Sequence, residues 1–494
     1  MTRNILTLLA IGLAGSLELS ALDIAATPGA VKSLIAEPAT VDNLAVEGQI
    51  DATDLYFIGS ELTALQSLDL SKAQIVAYEG ESINHATAYP ANHIPAASLA
   101  GSPLGSIAFP DAEGLSIGHG AFAGSGLRAI DLASDAVLGD GAFAGCPNLE
   151  LALVGSSEIG QGAFANCGKL KDVVLRGLSV AIDDNAFANC PALARVDGAY
   201  NVSTIGRRAF AGCKSLENFE FGTQLTSIGD EAFTASGLRE TDLSGCGALK
   251  SVGDWAFAGC AELTAANLGN AAGIGEGAFF DCPRLEDFTA AEGMTEVPAF
   301  AFAKDTAVDT KAIIGDNTTS IDRYALSHVT GASVVDLPES LVSIGDHAME
   351  YMSALNTINA AGAAPAALGQ DVWEGVDVEN TTVYVPEGAE DAYKDAEQWR
   401  DFTILAADSN DLSDILDIKQ APLRARFVGK ELQVSIQEAA ISRLDIYDPT
   451  GRLLVALAPD SELVSVDTSA WNNDIFLIVA SLSDKRHASL KISR

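Results

Sequence analysis

The chain is poor in basic side chains and in aromatic residues. Of its 494 residues only 29 are Lys or Arg, against 67 Asp or Glu, so the formal net charge is −38, and aromatic residues make up 6%. Because a strongly negative surface repels phosphate backbones, this deficit disfavours nucleic-acid binding. Hydrophobic residues nonetheless amount to 48%. That is enough to bury a large core, which argues against a disordered acidic chain.

Long hydrophobic runs and an even set of cysteines are also missing. No stretch after the first residues reaches 18 uninterrupted apolar positions, so no membrane-spanning helix is predicted. Seven cysteines are an odd number, which is awkward for a disulfide framework, and a chain of this length does not need one. At this length we expect two or more domains or an elongated array.

The first residues have the pattern of a secretory signal peptide. Arg3 gives a short basic segment, residues 5–17 are mostly apolar, and small residues follow at Ser20 and Ala21. An ordinary buried N-terminal helix is the alternative interpretation. The pattern predicts a signal peptide at residues 1–21 and therefore a protein that works outside the cytoplasm.

An internal repeat dominates residues 94–363. One large apolar residue, here called the anchor, recurs every 21–24 positions within the motif Ile-Gly-x-x-Ala-Phe. This period is typical of leucine-rich repeat solenoids, and about 12 repeats are present. The anchors are Leu99, Phe122, Phe143, Phe164, Phe187, Phe210, Phe233, Phe257, Phe279, Phe302, Leu326 and Met349, with Trp373 as a degenerate thirteenth.

Each repeat also carries a strand pattern about five residues after its anchor. Hexads such as Leu127–Leu132 and Leu170–Leu175 are apolar at positions one, four and six, so these positions are expected to point inward. One repeat cannot bury its Phe and Leu alone, whereas stacked neighbours form a continuous core. The predicted fold is an α/β repeat solenoid with a parallel sheet on one face and a short helical turn at each Ala-Phe segment.

The unit Ile-Gly-x-x-Ala-Phe-x-x-Cys-x-x-Leu resembles the BspA-like (type 5) leucine-rich repeat of bacterial surface proteins. Val383–Gly388 and Trp399–Phe402 resemble the segment that closes such arrays, which predicts a C-terminal cap at residues 364–407. An irregular N-terminal cap is expected at residues 22–93, because an open end would expose apolar surface and unpaired strand edges. The resemblance implies adhesion to host matrix proteins or to other cells.

The period is lost in a linker at residues 408–421, and residues 422–494 alternate like the strands of a small all-β sandwich. The run Ile446–Leu454 resembles the C-terminal sorting domain of type IX secretion. That likeness implies recognition by the outer-membrane export machinery of a Gram-negative bacterium. Two positions depart from the family pattern: Asn473–Phe476 replaces a Gly-x-Tyr strand, and Arg494 replaces a terminal lysine.

Apparent catalytic motifs recur at fixed positions of the repeat. Gly114–Gly118 matches the nucleophile elbow G-x-S-x-G, but Ser116 fills a position that is Ser or Thr in other repeats, and the strand–turn–helix context is absent. The six His residues show no H-E-x-x-H motif and no pairing with Cys. The sequence therefore predicts a protein that is not an enzyme, with no cofactor and no catalytic or metal-binding residues.

Six of the seven cysteines share one position, three residues after the anchor. Zinc sites need ligand pairs two to four residues apart, whereas these lie a repeat or more apart. Because free Cys packs as a small hydrophobe, a column of buried reduced thiols is predicted, with neighbour-to-neighbour disulfides as the alternative. Cys246 lies outside the column, and its reactivity is the one to test. The column consists of Cys146, Cys167, Cys190, Cys213, Cys260 and Cys282.

Acidic residues recur two positions after the Ile of the repeat or its equivalent, where the helical turn is expected to begin. Carboxylates there can accept unpaired N–H groups, so capping is predicted; calcium binding is the alternative, without the loop it needs. One position later, Trp255, Phe300, Tyr324 and His347 are expected to pack in the core, with stacking on sugars or peptides as the alternative. The acidic column is Asp140, Asp184, Asp230, Asp254, Glu276 and Asp346.

A second polar column lies at strand position five and is predicted to face the concave surface, where solenoids commonly bind extended partners. It would favour basic or calcium-bridged ligands, and simple solubility of exposed strand positions is the alternative. The candidate binding residues in this column are Asp131, Asp197, Glu220, Asp242, Asn267, Asp336 and Asn359.

These observations predict an exported leucine-rich repeat protein that presents a binding face. The expected partner is a host extracellular matrix or cell-surface protein, and the expected location is secreted or on the outer surface of a Gram-negative bacterium. A secreted effector that captures a soluble ligand is one alternative. An accessory surface protein that binds or processes glycans is another.

Overall fold

The computed structural model describes residues 21–407, apart from 134, 270, 272 and 292, and most of residues 424–493. The expected signal peptide therefore lies almost wholly outside the described residues, and the expected linker lies outside them as well. The described chain divides into two compact units. The first runs to Val335 and includes Ser340–Asn356 and Ala366–Asn380; the second contains Asp336–Glu339, Thr357–Pro365 and the residues described from Thr381 onward.

Parallel pairing begins before the repeat. The strands Leu22–Ala26, Asn43–Ile50 and Ser67–Ile75 pair side by side, and the third also pairs with Ser106–Ala108. The segment expected to be an irregular cap thus contains long parallel strands of its own. Its shorter elements are the helix Val31–Leu34, the 3-10 turn Pro38–Thr40, the antiparallel hairpin Tyr78–Ile83 with Ala86–Tyr89, and the helix Ala52–Glu61.

The helix Ala52–Glu61 begins at a capping box. The carboxylate of Asp51 accepts a hydrogen bond from the Thr53 N–H at 2.8 Å, and that of Asp54 accepts one from the Asp51 N–H at 3.1 Å. These bonds satisfy donors that have no partner within the helix. Leu55 and Ile58 are buried, so the helix turns an apolar face toward the interior.

The hexads form short strands with the predicted orientation. Leu170, Val173 and Leu175, at positions one, four and six, are buried. The strands are Ala129–Asp131, Leu151–Val154, Asp172–Leu175 and Arg195–Asp197 in one sheet; Glu240–Asp242, Ala265–Asn267 and Asp287–Thr289 in the next; and Val334–Leu337, Thr357–Ala360, Thr382–Pro386 and Thr403–Ala407 in a third.

Two hexads depart from the strand pattern. Residues 216–221 form no strand, and the rings of Phe219 and Phe221 pack edge-on against anchor Phe233 at 5.3 and 5.6 Å. The helix Thr310–Ile313 occupies the hexad that follows anchor Phe302, with the Asp309 carboxylate accepting from the Lys311 N–H at 3.0 Å. These interruptions divide the hexad strands into separate sheets. A 3-10 turn, Ala199–Asn201, follows one of the regular strands.

A second ladder runs through the Ser-Ile segments before each anchor. Each strand is very short, and the Ile side chains pair in register from coil to coil, as Ile117 does with Leu138. The strands are His93–Ile94, Ser116–Ile117, Val137–Leu138, Glu158–Ile159, Val180–Ile182, Val202–Ile205, Ser227–Ile228 and Ser251–Val252 in one sheet, and Glu296–Val297, Ser320–Ile321, Ser343–Ile344 and Ala367–Leu368 in another.

The Ala-Phe segments, called anchor turns below, run from two residues before the anchor to two after it. In the turn around Phe122, the N–H groups of Gly120, Phe122 and Gly124 donate to carbonyls of the next coil at 2.8–2.9 Å, whereas Ala121 and Ala123 donate to carbonyls three residues earlier in their own coil. Gly120 and Gly124 have left-handed φ values of 59° and 68°. Alternate N–H groups therefore bond to the neighbouring coil, and the expected helical turn is wrong in this detail.

The anchors stack into a continuous ladder, which confirms the leucine-rich repeat solenoid. From Phe122 to Phe302, successive rings lie nearly parallel, with centroids 5.2–5.6 Å apart and interplanar angles of 3–11°. Such offset stacking is a favoured geometry for aromatic pairs. Every anchor in this run is fully buried, so the ladder is the core of the first unit.

The segment that resembles the closing cap folds in the second unit. It consists of the last two hexad-type strands, the helix Glu390–Asp395 and the 3-10 turn Trp399–Asp401. The buried rings of Tyr393 and Trp399 pack edge-on at 5.3 Å, and the Tyr393 hydroxyl donates to the Gly362 carbonyl at 3.0 Å. These two side chains give the segment an apolar centre of its own.

The described strands after residue 424 are antiparallel, as predicted for a β-sandwich. Side chains of both sheets, among them Leu432, Val466, Leu444 and Ile478, share one buried cluster. The strands are Arg424–Val428, Glu431–Ser435 and Leu463–Asp467 in one sheet, and Leu453–Leu457, Ile441–Tyr447, Ile475–Leu482 and His487–Ser493 in the other.

Candidate functional site

The predicted polar column at strand position five is interrupted by apolar residues. Asp131 pairs in register with Leu153, which pairs with Val174, which pairs with Asp197. Further along, Asp242 and Asn267 pair in register, whereas Glu220 belongs to no strand. Asp131, Glu220 and Asp242 are exposed, and Asp197 and Asn267 are half-buried. The structure thus places these five candidates at the surface but not in an unbroken acidic row.

Asp336 and Asn359 are buried, so the expectation of a solvent-facing position is wrong for both. The Asn359 amide donates to the Asp336 carboxylate at 2.6 Å. A buried amide–carboxylate hydrogen bond satisfies both groups away from water. These two residues therefore act within the second unit's packing and cannot contact a partner directly.

A shallow depression lies on the outer face of three neighbouring hexad strands. It has a volume of about 100 Å³. Half-buried Leu151 and Val174 supply its apolar surface. The lining residues are Glu150, Leu151, Lys171, Asp172, Val174, Arg195 and Asp197. We call these residues, together with Leu178 and Tyr200, the strand-face patch.

Charged residues of both signs surround this depression. Lys171 pairs with Glu150 at 2.8 Å, and Arg195 pairs with Asp172 at 2.7 Å. Exposed pairs of this kind contribute little to stability, about 0–1 kcal/mol. An apolar centre with a charged, solvent-accessible rim is, however, the usual organisation of a protein-binding interface.

Two large apolar side chains extend the patch beyond the strands. Leu178 is 81% exposed and Tyr200 is 52% exposed. They follow successive hexad strands, Asp172–Leu175 and Arg195–Asp197. Because parallel strands that pair in register end at the same edge of their sheet, these side chains lie on neighbouring coils, just past the same edge of strands that line the depression. The sequence analysis did not identify Leu178 and Tyr200 as candidates, although a large apolar residue in a loop after a strand could have indicated an exposed interaction site.

The aromatic residues predicted for the core form a half-buried row along the anchor turns. Phe300 stacks on Tyr324, and Tyr324 stacks on His347, each with centroids 4.9 Å apart. Trp255 lies 5.9 Å from Phe300 and 5.2 Å from Phe280. The rings thus contact one another and are partly exposed. The row is therefore intermediate between core packing and a surface that stacks on sugars or peptides.

The thiol column is confirmed. All seven cysteines are free and buried. Each thiol of the column donates to the backbone carbonyl of the anchor one coil before its own, as Cys146 does to Phe122 and Cys213 to Phe187, both at 3.2 Å. Burial raises the pKa of Cys190 to about 12 and that of Cys260 to about 11. These two thiols therefore remain protonated and unreactive at neutral pH.

Cys246 is buried as well, and burial raises the pKa of its thiol. A reactive cysteine needs a lowered pKa and access to solvent. The structure therefore offers no basis for special reactivity at this residue.

The acidic column binds backbone N–H groups, but of a neighbouring coil. The carboxylate of Asp184 accepts from the Arg207 N–H at 2.6 Å, and that of Asp254 accepts from the Glu276 N–H at 2.9 Å. Asp140, Asp230 and Asp346 make the same contact. The predicted capping of a helical turn is corrected: these carboxylates link successive coils at equivalent positions.

A cluster of titratable residues lies at the last anchor turns, where sequence reasoning predicted no site. His347 Nδ1 is 3.0 Å from Glu350 Oε2 and 3.6 Å from Glu374 Oε2. One oxygen of each carboxylate is held by a hydroxyl: Ser327 donates to Glu350 Oε1 at 2.8 Å, and Tyr351 donates to Glu374 Oε1 at 2.9 Å. Three potential ligand atoms thus lie within 4.8 Å of one another.

The position of the two glutamates was the signal that could have revealed this cluster. The residue after the anchor is Ala in most repeats, for example Ala144, Ala188 and Ala258, but Glu at 350 and 374. Residues that break a repeat at one place, and together, are candidates for function, because the scaffold does not require them there.

Residues 92–203, 180–309 and 309–372 match the BspA type leucine rich repeat region, in six copies. The chain belongs to this family of leucine-rich repeat proteins. No curated protein matches it. Within the described residues, no helix has both the length and the apolar character needed to cross a membrane.

Several solved structures of bacterial repeat proteins resemble the chain. A leucine-rich repeat protein from Bacteroides ovatus is 20% identical, over 78% of this chain and 88% of its own, with a TM-score of 0.49. A leucine rich cell surface protein from Faecalibacterium prausnitzii is 16% identical over 71% and 90%, with a TM-score of 0.32. The pneumococcal vaccine antigen PcpA is 13% identical over 78% and 83%, with a TM-score of 0.29.

Proposed function

We propose that this protein is a non-enzymatic cell-surface protein that binds a protein partner through the strand-face patch. The supporting observation is that exposed Leu178 and Tyr200 lie on neighbouring coils, just past strands whose face carries an apolar depression with a charged rim. Contiguous exposed apolar surface rimmed by polar residues marks interaction sites on soluble proteins. Because rim charges mainly set partner choice and association rate, Asp197 on the rim, together with exposed Asp242 of the next hexad sheet, would favour a partner with basic groups.

Adhesion to host matrix proteins or to other cells is the biological role that we infer for this binding. Proteins with BspA-type repeats are cell-surface or secreted proteins. A solenoid displays side chains over an area larger than one pocket, which suits an extended protein ligand. A secreted effector that captures a soluble ligand would use the same patch, and it differs in being released from the cell.

The patch is tested by replacing its apolar residues. Leu178→Asp combined with Tyr200→Ser should reduce capture of matrix and cell-surface proteins by the mature chain at least about tenfold, because removing anchoring side chains from an interface costs 2 kcal/mol or more. Val342→Asp is the matched control, since Val342 is 66% exposed but lies on another coil. Binding should be measured by biolayer interferometry. Circular dichroism should verify that each variant is folded.

Charge reversal separates the apolar patch from the acidic column. The combined substitutions Asp197→Lys, Glu220→Lys and Asp242→Lys should weaken binding of a basic partner and alter the salt dependence of the association rate. Capture that survives both the apolar and the charge variants would remove this sheet face from consideration as the binding surface.

Export and surface attachment form a separate part of the proposal. We infer from the antiparallel sandwich, whose run Ile446–Leu454 resembles a type IX sorting domain, that residues 422–494 direct the chain to the outer surface of a Gram-negative cell. The described strands supply the compact β-fold that such recognition would need.

Glycan binding is the second candidate function, and one observation favours it. Trp255, Phe300 and Tyr324 present a half-buried aromatic row, and aromatic faces stack on sugar rings as well as on peptides. Trp255→Ala should abolish binding to a glycan array if this row is the site. The same variant should leave protein capture unchanged if the strand-face patch is the site.

A further inference from the structure

We propose that His347, Glu350 and Glu374 form a binding site for a divalent transition-metal ion, with Zn²⁺ as the probe that best suits it. The three side chains come from two successive anchor turns. His347 and Glu350 flank anchor Met349, and Glu374 follows anchor Trp373 in the next coil. The repeat therefore places the two carboxylates at equivalent positions, one coil apart, and both lie within reach of one imidazole nitrogen.

The distances are compatible with a metal ion as well as with the hydrogen bond that joins His347 Nδ1 and Glu350 Oε2 at 3.0 Å. In tetrahedral zinc sites the bonds to nitrogen and oxygen are 2.0–2.2 Å, which puts neighbouring ligand atoms about 3.3 Å apart. His347 Nδ1 lies 3.0 and 3.6 Å from the two Oε2 atoms. Those two separations bracket the expected edge of the tetrahedron, and all three ligand atoms lie within 4.8 Å of one another, so an ion can enter if the two carboxylates draw together around it.

Each ligand is also held in place by a neighbour. Hydroxyl groups of Ser327 and Tyr351 occupy the Oε1 atoms of Glu350 and Glu374 and leave the Oε2 atoms directed at the imidazole. The ring of His347 stacks on Tyr324 at 4.9 Å with an angle of 4°. Outer contacts that orient the ligands in this way typically accompany metal sites.

The charges supply the reason for a cation. Glu350 is buried, and a second carboxylate lies beside it. A buried carboxylate with a second negative charge beside it is unfavourable unless it gains a proton, a cation or a positively charged partner. Neutral imidazole with two carboxylates gives a mixed nitrogen and oxygen set, which suits Zn²⁺ or a similar ion rather than Ca²⁺ or Mg²⁺, both of which prefer oxygen ligands alone.

The site has an open side. Glu374 is exposed, whereas Glu350 lies inside. Three protein ligands leave a coordination position for water or for a group of another molecule. A metal ion here would thus be accessible from solvent and would lie on the anchor-turn face, away from the strand-face patch.

The test is calorimetric titration of Zn²⁺ into the mature chain after treatment with a chelator. We expect one saturable site with a Kd below about 1 mM. Glu374→Gln and His347→Asn should each weaken it at least about tenfold, since each removes a ligand and not only an outer contact. Asp371→Asn is the matched control, because Asp371 is an exposed acid in the same anchor turn outside the cluster. Co²⁺ absorption in the visible range gives a second, spectroscopic readout.

Two results would overturn the proposal. One is the absence of saturable Zn²⁺ binding to the intact chain. The other is equal binding by the wild type and by both ligand variants, which would assign the metal to adventitious surface carboxylates. Circular dichroism establishes that the variants are folded. Full displacement of bound Zn²⁺ by excess Ca²⁺ would contradict the inferred preference for a metal ion that binds nitrogen as well as oxygen.

Discussion

At the scale of single residues, Asp305 is the clearest exception to the repeat. It occupies the position of the thiol column, three residues after anchor Phe302, and it is fully buried. One carboxylate oxygen accepts from the Cys282 N–H at 2.6 Å, and the other has no partner. Burial raises the pKa of this carboxyl group well above its usual value. The ionised side chain therefore destabilises the fold.

We predict that Asp305→Asn stabilises the protein at neutral pH. Asparagine keeps the acceptor for Cys282 and removes the buried charge, so a gain of about 1–3 kcal/mol in the free energy of unfolding is expected at pH 7. The folded pKa is raised, so the folded state holds its proton above the unfolded pKa of about 3.9. In that window the stability of the wild type falls as pH rises.

Urea unfolding at several pH values measures this effect. The difference between wild type and Asp305→Asn should be small near pH 4 and should grow toward pH 7. Asp316→Asn is the control, because that side chain is exposed. A constant difference across this range would show that the pKa of the carboxyl group is the same in the folded and unfolded states, which would contradict the prediction.

At the scale of the elements, the stacking of the coils was readable from the sequence and the path of the anchor turns was not. Regular spacing of Phe, Cys and hexad residues predicted their burial, because equivalent positions must meet when coils stack. Ala-rich turns suggested helices, since local propensity carries no information about hydrogen bonds to the next coil. The left-handed residues two positions before and after each anchor decide those bonds.

The candidate sites show the same limit. The polar column was found by its period, yet the burial of Asp336 and Asn359 depends on packing that the period does not encode. Leu178 and the His347 cluster were missed because they depart from the repeat. A periodic pattern predicts scaffold, whereas these candidates lie at positions where the pattern fails.

One glycine links the anchor turns to the aromatic row. Gly277 has a φ of 61°, and a Cβ atom there would lie 2.5 Å from the ring of Trp255. Gly277→Ala should therefore displace the indole as well as strain the backbone. Gly120 has a φ of 59° and an open site, with its nearest neighbour at 3.8 Å, so Gly120→Ala carries the backbone strain alone.

Tryptophan fluorescence and thermal unfolding measure this difference. Both variants should lose stability, by more than about 1 kcal/mol, because alanine is strained at positive φ. Only Gly277→Ala should also shift the emission of Trp255, since its ring loses its place over the glycine. Identical spectra for the two variants would contradict the contact between Trp255 and Gly277.

At the scale of the whole molecule, the negative charge is partly structural. Carboxylates such as Asp184 and Asp254 accept backbone N–H groups of the next coil, and others, such as Glu150, pair with a basic residue one coil away. The net charge of −38 also keeps copies of the protein apart. The strand-face patch is where charges of both signs surround apolar side chains, which distinguishes it from a uniformly acidic surface.

The different roles proposed for the repeat, which binds partners, and for the sandwich, which directs export, lead to the last prediction. If residues 422–494 direct export, removing them should leave the repeat folded and able to bind partners while abolishing surface retention, because the sandwich has its own buried cluster and the anchor ladder ends well before it. Surface retention is measured by flow cytometry of intact cells, and folding by the unfolding midpoint of the truncated chain. Undiminished retention of a folded, truncated chain would assign surface attachment to the repeat itself and would leave the sorting proposal without support.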